Sequence, residues 1–148
     1  ILHIIRTLLD FKPESNRTDI KQAVETLTRM QKRRCTAFML SDFYQQKPFT
    51  KELQICNRKH DVVAIQVYDR RDTTLPDIGL MRVRDAETGH EQYLDTSSKK
   101  VRNAYSEQWK KRQDRLHETF THSGVDSVAI STNDDYVKYL MMLFKKRK

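Results

Sequence analysis

Cys35-Thr36-Ala37-Phe38-Met39-Leu40-Ser41-Asp42 is the stretch on which the fold turns. The residues from Cys35 to Leu40 suit a buried strand, do not alternate with polar residues, and end abruptly in Ser-Asp. An apolar run without alternation marks a strand covered on both faces, so it predicts a central strand of a parallel sheet. In open α/β sheets, ligands bind just outside the carboxyl ends of such strands. Ser41 and Asp42 are therefore the first candidates for chemistry, and Asp42 is the stronger because a carboxylate at a strand end can hold Mg²⁺ directly or through water.

Downstream, Phe49 to Asn57 has helical spacing, with Phe49, Leu53 and Cys56 on one side. Asp61 then opens a second nearly continuous apolar run, Val62-Val63-Ala64-Ile65-Gln66-Val67-Tyr68, which ends in Asp69. Strand, helix and strand in this order predict a right-handed crossover between parallel strands. A polar loop from Arg70 to Asp77 leads to an alternating pattern: residues 79–84 and 91–95 around the Asp85-to-His90 turn predict an antiparallel hairpin. Thr96-Ser97-Ser98 can cap a long helix reaching about His122. Its stripe is Val101, Tyr105, Trp109, Arg112, Leu116 and Phe120, and Gly124 supplies the stop. Residues 125–130 read as a third strand, and Asn133-Asp134 as the cap of a last helix burying Val137, Leu140, Met141 and Phe144.

Upstream, Ile1, Ile4, Ile5, Leu8 and Leu9 have helical spacing, and Pro13 is expected to end that helix. Glu14-Ser15-Asn16-Arg17 reads as a loop. Thr18 is a natural N-cap for a second helix with Ile20, Ala23, Val24, Leu27 and Met30 as its buried stripe. The whole predicts one α/β domain over residues 1–148, with about three parallel strands and one inserted hairpin. The chain starts at Ile1, inside an apolar pattern, so it is expected to be an excised piece of a longer protein. An anchor or further domain upstream stays open.

Of the 148 residues, 37% are hydrophobic and 32% charged, which predicts a modest core. No run approaches the roughly 18 consecutive apolar residues of a membrane span. Cys35 and Cys56 lack metal-ligand spacing, which points to a reduced, cytoplasmic chain with buried free thiols. The formal net charge of +8 raises the expectation of nucleic acid or an acidic partner. The excess is dispersed in Lys32-Arg33-Arg34, Lys99-Lys100, Lys110-Lys111-Arg112 and residues 145–148, where solvated helix ends account for it. No aromatic ladder is interleaved with these clusters, so a single-stranded nucleic-acid groove is not expected.

The five histidines are scattered and none has HExxH spacing; GxGxxG, P-loop and GxSxG motifs are absent. Enzymatic activity is therefore not expected. Thr18, before the helix that precedes the first strand, could set a hydroxyl on the same ion as Asp42, although a plain N-cap is the favoured reading. Asp69 and Asp72 end the second strand, and Ser131, Thr132, Asp134 and Asp135 follow the third.

The order of Arg17-Thr18-Asp19-Ile20, Lys32-Arg33-Arg34, Phe38-Met39-Leu40-Ser41-Asp42-Phe43 and His60 to Asp69 is specific. Leu75-Pro76-Asp77-Ile78-Gly79-Leu80, Asp85-Ala86-Glu87-Thr88-Gly89 and Ser131 to Val137 continue it. This succession resembles the C-terminal half of the bacterial von Willebrand factor A-like proteins encoded beside MoxR-type AAA+ ATPases, domain of unknown function family 58. The resemblance implies a Rossmann-like three-layer αβα fragment with a metal-ion-dependent adhesion site, with Thr18 and Asp42 at the Thr and Asp ligand positions and Ser41 beside them. The Asp-x-Ser-x-Ser loop of that pattern has no counterpart here, so the site is incomplete and tight Mg²⁺ binding is not expected. The neighbouring strands are missing too. The strand from Cys35 to Leu40 would then become an open edge, and a homodimer through it is expected.

The function implied is a non-catalytic protein-interaction module working with a MoxR-type ATPase in protein assembly or stress functions. The alternative is a nucleic-acid binder or metal-dependent nuclease using the basic surface, Asp42 and Asp69. Cleavage would need a tighter acidic cluster than this chain displays.

Overall fold

The computed structural model describes residues 1–12, 18–45, 47–85 and 89–147. The predicted stop at Pro13, the following loop to Arg17 and the middle of the hairpin turn lie outside these residues. The elements run α1 (Leu2–Asp10), α2 (Ile20–Met30), β1 (Thr36–Ser41), α3 (Thr50–Lys59), β2 (Asp61–Tyr68), a short 3-10 turn (Arg70–Asp72), β3 (Leu80–Arg84), β4 (Glu91–Asp95), α4 (Lys99–Ser123), β5 (Asp126–Ser131) and α5 (Tyr136–Lys146). Strands β1, β2 and β5 form a parallel three-stranded sheet in the order β1-β2-β5, and β3 pairs with β4 as a separate antiparallel hairpin. The predicted mixed α/β architecture is what the chain adopts.

β2 is the strand covered on both faces. Val62, Val63, Ala64, Ile65 and Gln66 are all buried. Its period of two sends Val62 and Ala64 into one core, with Ile20 and Val24 of α2, Leu53 and Cys56 of α3, and Leu116 and Phe120 of α4. Val63 and Ile65 enter the other, with Ile130 of β5 and Leu143 of α5. Each such fully buried aliphatic side chain contributes roughly 1.5–3 kcal/mol. Asn57 ties the two halves of the first core. Its Nδ2 donates to the carbonyls of Ser123 and Gly124 at 3.2 and 2.7 Å, and its Oδ1 accepts from Val62 N at 3.0 Å. Gly124 sits at φ +65° as the left-handed stop of α4.

The reading of β1 as a strand buried on both faces is corrected. β1 lies at one edge of the sheet, and its burial alternates: Ala37, Met39 and Ser41 are half-buried, while Thr36, Phe38 and Leu40 are exposed. Met39 packs on the α2–α3 core; Phe38 meets Phe144 of α5 edge-on, with ring centroids 6.0 Å apart. Apolarity set the expectation, but coverage depends on neighbours, and among the described residues none pairs the outer side of β1. The open edge implied by missing strands is what the sheet order places there.

Two other helix readings shift. Residue Asp19, not Thr18, is the N-cap of α2, with its carboxylate accepting from Gln22 N at 2.8 Å. A charged oxygen is the better partner for the positive helix end. α5 buries Leu143, with Tyr139 and Leu140 packed beside it, whereas Val137, Met141 and Phe144 are about half exposed. The apolar residues of α5 run nearly all round the helix, so periodicity left its rotation undetermined. The stripe of α4 matches throughout, since Val101, Tyr105, Trp109, Arg112, Leu116 and Phe120 are all buried or half-buried. In α1, by contrast, Ile1, Leu2, Ile4, Ile5 and Leu9 stand exposed.

Candidate functional site at the carboxyl rim of the sheet

The three parallel strands end together at Ser41-Asp42, Tyr68-Asp69 and Ser131-Thr132. A backbone bond from Thr132 N to Tyr68 O at 2.9 Å continues the pairing of β2 with β5 into this rim.

At the end of β1 the chain makes a tight, strained turn. Phe43 has φ +54°, the one non-glycine residue with positive φ among those described. This conformation costs a bulky L-residue about 1–2 kcal/mol. Burial holds it there. Phe43 is 4% exposed, lies 6.4 Å from the Phe49 ring in a stacked pose and 5.1 Å from Phe120 edge-on. Inside the turn, Ser41 Oγ accepts from Phe43 N at 3.0 Å and donates to Asp42 Oδ1 at 3.3 Å, and Oδ1 also accepts from Tyr44 N at 3.1 Å. Buried Gln66 of β2 donates to the Asp42 carbonyl at 3.4 Å. The result is an exposed Asp42 carboxylate held through one oxygen, with Oδ2 directed to no partner among the described residues.

The turn is also tied to α2. Gln45 Oε1 accepts from Ile20 N at 2.6 Å, so the segment after Asp42 meets the first turn of the helix that begins two residues past Thr18. The structure thus places the Thr18 and Asp42 segments at one end of the sheet. It does not bring the other rim acids into that group. Asp69 caps the 3-10 turn, accepting from Arg71 N at 2.8 Å, while Asp72 accepts from Asp69 N at 3.0 Å. Asp134 accepts from Ser131 N at 3.1 Å and pairs with Arg70 at 3.5 Å; Asp135 caps α5 by accepting from Val137 N at 3.1 Å. Beside Asp134, its negative charge pushes the Tyr139 phenol upward. Burial, followed by the charge of Asp72, does the same to Tyr105 on α4.

Among the described residues no group of three His, Cys, Asp or Glu side chains converges as a metal cage. Mg²⁺ takes six oxygens and commonly keeps several waters with one or two carboxylates. Asp42, with a hydroxyl such as that of Thr18 or Ser41, fits part of such a shell and no more.

Several rim residues escaped the sequence. Arg112 of α4 lies over the Tyr44 ring, 4.8 Å from its centroid, and Trp109 packs 5.4 Å from Tyr68. Gln66 was legible as the one polar residue in the β2 run; the positive φ at Phe43 carried no signal, because glycine or asparagine is the usual mark of that conformation. Away from the rim, a cleft of about 450 Å³ opens between β5 and α4, lined by Leu116, His117 and Ala129.

A three-stranded parallel sheet with helices packed on both faces defines a Rossmann-like αβα fragment. Residues 1–115 match the family described as Protein of unknown function DUF58, and the chain belongs to that family. It is 29% identical over 136 residues to the uncharacterized protein MAV169 of Mycobacterium avium, covering 92% of this chain and 80% of that protein. It is 38% identical over 77 residues to the uncharacterized protein Rv1480 of Mycobacterium tuberculosis, covering 52% of this chain and 24% of that one. Among solved structures, the conserved hypothetical protein BatB of Bacteroides thetaiotaomicron matches with a TM-score of 0.54 at 13% identity, over 98% of this chain and 68% of that chain. The BatB likeness bears on the fold alone. Among the described residues no helix is long and apolar enough to cross a membrane.

Proposed function

We propose that this chain is the C-terminal part of a non-catalytic, von Willebrand A-like interaction module. In the intact protein, Asp42 and Thr18 contribute oxygens to a Mg²⁺ ion, and an acidic group of a partner takes an open position on it. The partner class is a MoxR-type AAA+ ATPase, in protein assembly or stress functions. One observation carries the reading: a strained turn, anchored by buried Phe43, holds the exposed Asp42 carboxylate at the strand rim and is tied to the start of α2 by Gln45. Strain persisting at a ligand-type position is a recognised mark of function.

The test uses the full-length protein. Partner binding is followed by calorimetry with Mg²⁺, with chelator, and in the Asp42→Ala variant. The reading requires binding to be lost in both the chelated and the Asp42→Ala samples. Binding that survives either change refutes it.

A nucleic-acid reading draws on the net charge of +8. Affinity for a mixed-sequence duplex that falls steeply with salt, while Asp42→Ala leaves it unchanged, would favour it.

The open edge of β1 supports self-association as well. In an antiparallel two-fold pairing with Phe38 opposite its own copy, Arg34 of one chain faces Asp42 of the other, a complementary register. Sedimentation should then show a concentration-dependent dimer that Phe38→Lys dissociates; a monomer at all concentrations refutes the pairing.

A further inference from the structure

At the opposite end of the sheet from Asp42, a thiol and an imidazole meet. Cys35 Sγ lies 3.4 Å from Nδ1 of His60, which closes α3 as its C-cap. Both backbones are pinned: His60 N donates to Cys56 O at 2.8 Å, and Asp61 N donates to Cys35 O at 2.9 Å. The His60 side chain is 0% exposed, and its Nε2 is buried with no hydrogen-bond partner. A buried ring that has lost water at both nitrogens costs about 1–3 kcal/mol for each one left unsatisfied. The Cys35 sulfur is thus the polar outlet of this ring. Sulfur is a weak partner as a thiol and a strong one as a thiolate.

Cys35 is half-buried, whereas Cys56 is fully buried. Lys32, Arg33 and Arg34, all exposed, stand immediately before Cys35. The nearby Asp61 carboxylate is paired with Arg147 and offsets little of that charge. A half-buried cysteine with a buried imidazole at its sulfur, directly after three exposed cations in the chain, differs from an inert core cysteine.

We propose that Cys35 is a thiol-modification site, activated by His60, that forms a mixed disulfide with an anionic low-molecular-weight disulfide. The Cys35 proton passes to Nδ1 of His60, and the thiolate attacks one sulfur of the incoming disulfide. A new S–S bond forms as the old one breaks. The leaving thiolate takes up the proton, so Cys35 is oxidised and one half of the reagent is released as reduced thiol. The adduct sits at the start of the β1 edge.

The test measures second-order reaction rates of the reduced full chain with a dianionic aromatic disulfide (dithiobis-nitrobenzoate) and with neutral dipyridyl disulfide. The same chain unfolded in urea is the reference. Cys35 should react about tenfold faster folded than unfolded, as for an activated thiol. That fast phase should vanish in Cys35→Ser, persist in Cys56→Ser, and fall to the unfolded rate in His60→Gln. Added salt should slow the anionic reagent and leave the neutral one unchanged. With glutathione disulfide, mass spectrometry should find one adduct, on Cys35. A folded rate no greater than the unfolded rate, or a fast phase retained in a folded His60→Gln, overturns the activation. Equal salt response of the two reagents overturns the anion preference. If His60→Gln does not fold, the folded-to-unfolded ratio of the unmodified chain decides alone.

Discussion

Phe43 offers a substitution pair whose order of stability inverts the usual one. Replacing it by alanine removes a ring that is 4% exposed and packed on Phe49 and Phe120, a change expected to cost about 3–5 kcal/mol. Phe43→Gly loses the same ring contacts. In ordinary helix or strand positions glycine is worse than alanine by roughly 0.5–1 kcal/mol. At φ +54° alanine keeps the left-handed penalty of about 1–2 kcal/mol and glycine escapes it. The two terms leave glycine ahead of alanine by about 0.5–1 kcal/mol. With a urea slope near 2 kcal/mol/M, the midpoints should differ by roughly 0.25–0.5 M, glycine higher. Urea unfolding followed by circular dichroism reads this directly. Since either variant removes a large part of a typical 5–15 kcal/mol total, both melts are run with sucrose as a stabilising osmolyte. An alanine midpoint equal to or above the glycine midpoint would show that the turn is not strained, and the account of how Asp42 is presented would fail with it.

Leu53→Ala should cost about 2–5 kcal/mol and Leu40→Ala less than about 0.5 kcal/mol, because Leu53 is fully buried and Leu40 is 66% exposed on the open face of β1; thermal melts giving equal losses would mean that the β1 face is covered. The Glu52 carboxyl lies below the usual carboxylate range, chiefly through its 2.9 Å contact with Lys21. A lowered folded value means that the stabilisation is present above the unfolded carboxylate range and is lost as pH falls through the folded value. Carbon-detected titration should therefore place Glu52 below a free glutamate, and Lys21→Met should return it; an unshifted midpoint in the parent chain would refute the α2–α3 tie. Asn57→Ala should destabilise by about 1–3 kcal/mol, since it strands two turns joined by its side chain; a melt unchanged within error would show water replacing it at no cost.

The parts of this fold that were legible from residues alone share a property: their burial is set by their own periodicity. α4 presents one mainly apolar row, broken by Arg112, so its inward positions from Val101 to Phe120 could be read in advance, whereas buried Ser123 could not. Phe49, Leu53 and Cys56 behave likewise. Where placement depends on what lies alongside, the residues are silent. β1 and β2 read as the same kind of apolar strand, yet β2 has neighbours on both sides and β1 on one. α5 is apolar nearly all round, and only contact with β5 fixes which side turns inward. At the rim, Ser41 and Asp42 could be picked out because strand ends in parallel sheets gather ligands. That Asp69, Asp72 and Asp134 are spent on local caps could not, since free and capping carboxylates look alike in sequence.

Arg147 was grouped with its lysine neighbours as a solvated basic tail. Its guanidinium instead joins Asp61 at the start of β2 and, at 3.4 Å, Asp126 at the start of β5. One cation therefore fastens the trailing end of α5 across the seam between two parallel strands, at the end where their carboxylates would otherwise repel. Replacing Arg147 by alanine would loosen that tie and with it the hold of Leu143 on Val63 and Ile65.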